Sequence, residues 1–230
     1  MSSTFGSDII TEGLCMNLDA GDVESYVSGT LWKDTSGFTV TTMSHDVTLS
    51  TDCTFSPLHG GCIDFDGNSV GGTFTHPNFG TDSWTIEIWV DPTDNFYNWI
   101  TFLCATRGFN GYNLGTDGSN DLVYHDMGPE GNSRKLEAVG ATPLTGMHMH
   151  SYTRDSDNGG AMVGYVDGTA VATGTTTIDL SATNGFMARL NNGAEDMNGR
   201  IACVRMYKGK AFTQEEVMHN FNALRGRMGV

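Results

Sequence analysis

The chain has 230 residues, with 27 acidic against 12 basic side chains, a net charge of −15, and 30 glycines. A surface of that sign repels phosphate backbones, which argues against nucleic acid as a direct ligand, and its bland consequence is solubility. No apolar run approaches membrane-spanning length, and a chain of this size suits one sandwich or barrel that buries about 70% of its unfolded surface without a second core.

In chain order, the opening Met-Ser-Ser-Thr-Phe-Gly-Ser-Asp lacks both the basic and the apolar region of a secretory signal, so synthesis in a cytoplasm is expected. Residues 1–11 read as a polar N-terminal arm, ahead of a single domain over 12–230. Short alternating runs divided by Asp-Gly, Asn-Gly and Gly-Gly predict an all-β domain with many tight turns. Trp84, Ile86, Ile88 and Val90 fall on one face of a strand, and Thr85, Glu87, Trp89 and Asp91 on the other, as in a sheet with one side in the core. The turn from Asp94 to Trp99 mixes aromatics with asparagine and is the best place for exposed rings.

A strand over 147–153 points His148 and His150 to one side, opposite Met147 and Met149. Nothing nearby completes a metal site, so both are read as solvent- or interface-facing histidines. Residues 199–207 are rich in apolar and β-branched types and predict a strand, with Lys208-Gly209-Lys210 as the turn. Thr213 is a natural N-cap, Glu216 completes a capping box, and Val217, Phe221 and Leu224 recur at i, i+4, i+7. The prediction is a short helix over 213–224 that acts as a lid on the sandwich, with Gly226 able to end it. Cys15, Cys53, Cys62, Cys104 and Cys203 are odd in number and show no C-x-x-C spacing, so they read as small, reduced core residues. Pairing of Cys53 with Cys62 stays open.

The ending G-x-I-x-x-V-R-x-Y, turn, T-x-x-E-V-x-x-N-F-N-A-L-R-G-R resembles the closing segment of concanavalin A-like sandwiches of the LamG-like jelly-roll group. Gly13 to Gly21, Trp32-Lys33-Asp34-Thr35-Ser36-Gly37, Phe65-Asp66-Gly67, Trp84 to Val90, and Thr153-Arg154-Asp155 with Tyr165-Val166-Asp167-Gly168 follow that family's order over residues 12–227. The resemblance implies a two-sheet antiparallel jelly-roll sandwich with one short C-terminal helix. It does not imply one function, since the fold hosts lectins, hydrolases, adhesion modules and viral structural proteins.

Three chemistries follow from the resemblance. Related glycoside hydrolases carry E-x-D-x-x-E on one strand, whereas Trp89 stands in place of the middle carboxylate here, and Glu87 and Asp91 lie about 13 Å apart along a strand. Relatives bind calcium through loop carboxylates, which makes Asp19, Asp22, Asp64, Asp66 and Asp196 candidates for a structural calcium, or else Asx turns. The acidic positions of many relatives' last strand are Ala202 and Cys203 in this chain. Sugar recognition uses an aromatic platform, for which Trp32, Trp84, Trp89, Trp99, Tyr97, Phe109 and Tyr112 are available, Trp84 being assigned to the core.

No catalytic residue, metal ligand or cofactor is assigned, and no residue is singled out for carbohydrate binding. The expected role is a non-catalytic structural or interaction protein on a phage particle, a capsid decoration or tail-associated subunit made in the host cytoplasm. Its partners would be other virion proteins or its own copies, and surface glycans. A carbohydrate-binding lectin is the alternative, and a glycoside hydrolase the third reading.

Overall fold

A computed structural model describes residues 9–37, 45–68, 71–93, 100–105, 110–117, 122–128, 131–138, 145–190, 192–193 and 195–230. The strands are β1 (Leu14–Asp19), β2 (Leu31–Trp32), β3 (Val47–Leu49), β4 (Thr54–Ser56), β5 (Cys62–Asp66), β6 (Gly72–Thr75), β7 (Trp84–Pro92), β8 (Ile100–Ala105), β9 (Gly111–Thr116), β10 (Leu122–Gly128), β11 (Gly131–Ala138), β12 (His148–Asp155), β13 (Ala161–Val166), β14 (Thr169–Thr175), β15 (Asn184–Met187) and β16 (Asn198–Lys208), and the helix α1 spans Gln214–Met228.

All pairings named are antiparallel. The first sheet runs β14-β13-β12-β7-β16-β5-β4, and the second β11-β10-β9-β8-β15-β6-β3-β2. Strand β16 serves two neighbours on one side: its first half pairs with β5, and its second half with β1. The inner faces of both sheets meet in one core, with Trp84, Ile86, Ile88, Val90, Val204 and Met206 from the first opposite Phe102, Leu103, Tyr112, Leu114 and Phe74 from the second. This is the two-sheet, mostly β architecture with one C-terminal helix that the turn density and the motif order predict.

The T-R-D motif has a structural purpose at the sandwich end. Arg154 is buried there, and its guanidinium donates to the backbone carbonyls of Thr176, Thr81 and Asp82, tying two loops to β12.

Two expectations about this region need correction. Every residue of β7 is buried, on both faces. For Glu87 and Trp89 the reason is α1, which lies on the outer face of the first sheet as a third layer. Its Val217, Phe221, Leu224 and Met228 pack on Trp89, Met149, Tyr165, Ala202 and Tyr207, and Phe221 stacks on Trp89 with centroids 5.6 Å apart. Gly226 does not end the helix either. The stripe continues to the buried Met228, and Gly229 closes the helix at φ 83° by donating to the Arg225 carbonyl. The N-terminus is as expected, with Glu216 N–H donating to Thr213 and Thr213 N–H to the Glu216 carboxylate.

Candidate functional site

Among the described residues, one end of the outer face of the first sheet is left uncovered, and side chains from four adjacent strands converge there. Register aligns Thr54 of β4 with Asp64 of β5, Asp64 with Arg200 of β16, and Arg200 with Asp91 of β7. Because side chains alternate along each strand, Asp66 and Asn198, two positions on, share the same face. The result is an open depression of about 200 Å³, lined by Asp52, Thr54, Asp64, Asp66, Thr93, Asn198 and Arg200, with Asp91 bound to its arginine. Its one cation, Arg200, is held by two carboxylates: Nε is 2.7 Å from Asp64 Oδ1, and a terminal nitrogen donates to Asp91 Oδ2 at 3.0 Å. Asp91 also accepts from Gly146 N–H, and the Thr93 hydroxyl donates to the Asn198 side-chain oxygen at 3.1 Å. Gly199, between the two polar β16 residues, must be glycine, since a Cβ there would come within 2.5 Å of the Asp91 carbonyl oxygen.

Farther along the same face, under α1, lies a sealed polar network. Glu87 is 1% exposed, and its Oε2 accepts from Asn220 Nδ2 at 2.9 Å while Oε1 has no hydrogen-bond partner. Burial raises the Glu87 carboxyl to about 7, against the pull of Arg205 and of the Asn220 hydrogen bond. Asn220 also donates to the Tyr207 hydroxyl and accepts from Ile10 N–H, so one side chain joins β7, β16 and the entering chain. Next to it, Arg227 donates to both oxygens of Asp19 at 2.7 and 2.9 Å, and Arg205 reaches Asn17 and lies 3.5 Å from Asp19. Residues 1–8 of the expected arm lie outside the described residues.

This geometry separates Glu87 from Asp91. A glycosidase needs two carboxyls about 5–9.5 Å apart across an open cleft. Here one of them lies beneath a helix and the other is bound to an arginine.

The histidine expectation fails in its environment. His148 and His150 do share a face, but it is the inner one: His150 is fully buried against Phe102, with neither ring nitrogen hydrogen-bonded, and burial lowers it to about 3. His148 sits at the rim, where Nδ1 lies 2.7 Å from Asp167 Oδ2, and that hydrogen bond raises its pKa. Neither faces solvent as a pair. Met149 of β12, like Met147 just before it, turns outward because α1 and its surroundings supply an apolar cover there.

The five calcium candidates do not gather at one site, although Asp64 and Asp66 share the depression. Asp19 is taken by arginines and Asp64 by Arg200, while Asp22 and Asp66 accept from backbone amides two residues on, as Asx turns do. Among the described residues no group of three or more His, Cys, Asp or Glu is placed to hold a metal. All five cysteines are buried thiols outside any disulfide, and burial pushes Cys15 and Cys203 up to about 12, and Cys53 and Cys62 to about 11. Of the platform aromatics, Trp32, Trp84, Trp89 and Tyr112 are fully buried, and Tyr97, Trp99 and Phe109 lie outside the described residues. The residues that do line an open site, Arg200, Asn198, Asp52, Thr54 and Thr93, went unnoticed in the sequence. The available signal was the outward alternation of Asn198 and Arg200 at the start of a strand.

Two facing antiparallel sheets with a polar depression on an outer face define a jelly-roll sandwich of the lectin-like kind. The sequence matches the family model described as the concanavalin A-like lectin/glucanases superfamily over residues 66–218, more than half of the chain, and the chain belongs to that family. Comparison with curated proteins found no match. Among solved structures, domain 4 of AbnA, a GH43 extracellular arabinanase from Geobacillus stearothermophilus, in complex with arabinotriose, is similar with a TM-score of 0.69 at 16% identity, over 90% of this chain and 97% of that one. The binding domain of botulinum neurotoxin DC in complex with SialylT gives 0.70 at 14% identity, over 93% of this chain and 52% of that one. Trypanosoma rangeli sialidase with the inhibitor DANA gives 0.67 at 15%, over 93% of this chain and 33% of that one. The chain thus spans about half of the toxin binding domain and a third of the sialidase, and at these identities the likeness is one of fold.

Proposed function

We propose that this chain is a non-catalytic binding module that recognises carbohydrate through its surface. The observation that carries the reading is the fate of the outer face of the first sheet. Its β7 carboxylates are buried or ion-paired, and in the shallow depression left open Asp64 is held by Arg200 and Asp66 accepts from the backbone amide of Asn68. The family name and the sugars in the arabinanase-domain and toxin-domain structures support carbohydrate as the ligand class. Retention of the protein in polysaccharide-containing gels, with no release of reducing ends, is the expected result. Turnover of a glucan or arabinan that disappears in Glu87→Gln would overturn the reading in favour of a hydrolase.

A separate observation favours attachment to a neighbouring protein, as a phage-particle subunit would require. Val23 and Val27 are 70% and 77% exposed and flank Tyr26, whose ring stacks on the half-exposed Phe55 of edge strand β4. Clustered apolar side chains of this kind mark contact surfaces. The particle setting itself rests on the resemblance of the closing segment to viral modules. Co-sedimentation with assembled particles that weakens in Val23→Asp and Val27→Asp supports it; a protein that never sediments with particles refutes it.

A further inference from the structure

The geometry points to the depression beside Arg200 as a direct, metal-independent site for an uncharged polyhydroxyl ring, selected against anionic sugars. This assignment rests on the carbohydrate reading above and adds the place and the chemical class of the ligand.

Charge decides the class. The depression is lined by Asp52, Asp64 and Asp66 against the single cation Arg200, in a chain of net charge −15. That cation is already shared between Asp64 and Asp91, with nitrogen–oxygen distances of 2.7 and 3.0 Å. A sialic or uronic acid carboxylate entering here would meet a residual negative field and no unpaired cation among the lining residues.

Hydrogen-bond chemistry agrees. Ion pairs with Asp64 and Asp91, the second a hydrogen bond, hold the guanidinium in place before any ligand arrives, and preorganised donors cost less ordering on binding. The carboxylates beside it only accept. A diol supplies the complement of both, since each hydroxyl donates to a carboxylate and accepts from a guanidinium or amide. Asn198 contributes its amide at the same rim, with its oxygen already accepting from Thr93. A volume of about 200 Å³ matches one ring and not a buried chain.

The metal-independence follows from the same residues. Lectin sites that recruit a cation need several convergent oxygen ligands, and no such group of three is placed among the described residues. Phe65, the aromatic that lines the depression, is 2% exposed, which leaves hydrogen bonding and not ring stacking to hold the sugar.

The test is calorimetric or NMR titration of the full chain with lactose and arabinotriose as neutral probes, and with 3′-sialyllactose and trigalacturonate as anionic ones, with and without EDTA. Neutral probes are expected to bind, their anionic counterparts about tenfold or more weakly, and EDTA to change nothing. Asn198→Ala and Thr54→Ala should each weaken neutral-sugar binding by about tenfold while the unfolding midpoint stays in place, and the second variant serves if the first misfolds. Neutral binding untouched by both folded variants overturns the site and leaves the carbohydrate reading standing. Equal or tighter binding of 3′-sialyllactose, or loss of binding in EDTA, overturns the ligand class. No binding of any probe overturns the carbohydrate reading and this assignment with it.

Discussion

The outer face of the first sheet carries acid–arginine clusters at both ends, and only one of them is roofed. Under α1, Asp19 sits between Arg227 and Arg205, with Glu87 alongside. At the uncovered end, Asp64 and Asp91 flank Arg200. The residue types are the same and the strands are shared, so local chemistry does not distinguish the two. What differs is the dielectric above them. Charges sealed by a helix are costly to leave unpaired and therefore serve the fold, whereas the partly exposed Asp64 and Arg200 contribute less to stability and remain available to a ligand.

The sharpest way to break that comparison is to remove one partner from each end. Asp19→Ala strands two buried arginines and should lower the unfolding free energy by about 3–5 kcal/mol. Phe221→Ala should cost a similar amount, about 3–5 kcal/mol, because its ring covers Trp89 and seals the network from water. Urea titration reads both. If either variant lost less than the cap variant Thr213→Ala, for which about 1 kcal/mol is expected, α1 would be a surface appendage and not a structural layer.

A pH series probes the roofed end without deleting anything from it. Glu87 has its folded pKa raised from 4.5 to about 7, so the native state holds an extra proton, and its contribution falls as pH rises through that window. His76 and His150 are lowered from 6.5 to about 3 by burial, so the unfolded state binds their protons first, and their contribution is lost as pH falls below 6.5. Between 4.5 and 6.5 the two slopes oppose. Denaturation midpoints for the parent chain should therefore still rise across that window, with about half the steepness of the histidine limb because two histidines outweigh one carboxyl, and level off toward pH 7, while Glu87→Gln should show the full histidine limb, rising steadily from pH 3 to 6.5. A midpoint profile unchanged by Glu87→Gln would mean that this carboxyl meets water in the folded state.

Much of the fold was legible because its signals are local. The alternation in β7, the Thr213 to Glu216 box and the turn at Lys208-Gly209-Lys210 each depend on neighbours within a few residues. The location of α1 was not, because an apolar stripe says that one helix face is buried and not what buries it. Asn220 shows the limit well: it lies on the buried side of the helix between Val217 and Leu224, and only the tertiary structure reveals that it bonds Glu87, Tyr207 and Ile10. His148 and His150 illustrate the same point for strands, since period two puts them together without choosing the face. The depression was least legible of all. Its lining comes from three strands and two flanking residues between Asp52 and Arg200, and only sheet register brings Thr54, Asp64, Arg200 and Asp91 into one row.

The smallest expected stability effect completes the comparison from the open end. Asp64→Asn removes the carboxylate that steadies Arg200 at Nε, but Asp64 is about one-third exposed and Arg200 keeps Asp91, so the change in stability should stay within about 1 kcal/mol. Its effect should appear in recognition instead. With one negative charge gone and Arg200 less evenly neutralised, discrimination against 3′-sialyllactose relative to lactose should narrow, and the narrowing should be greatest at low ionic strength, where the Debye length is longest. The contrast with Asp19→Ala is the decisive measurement: a large stability loss at Asp64, or an altered sugar preference at Asp19, would mean that the helix does not divide this face into a structural end and a binding end.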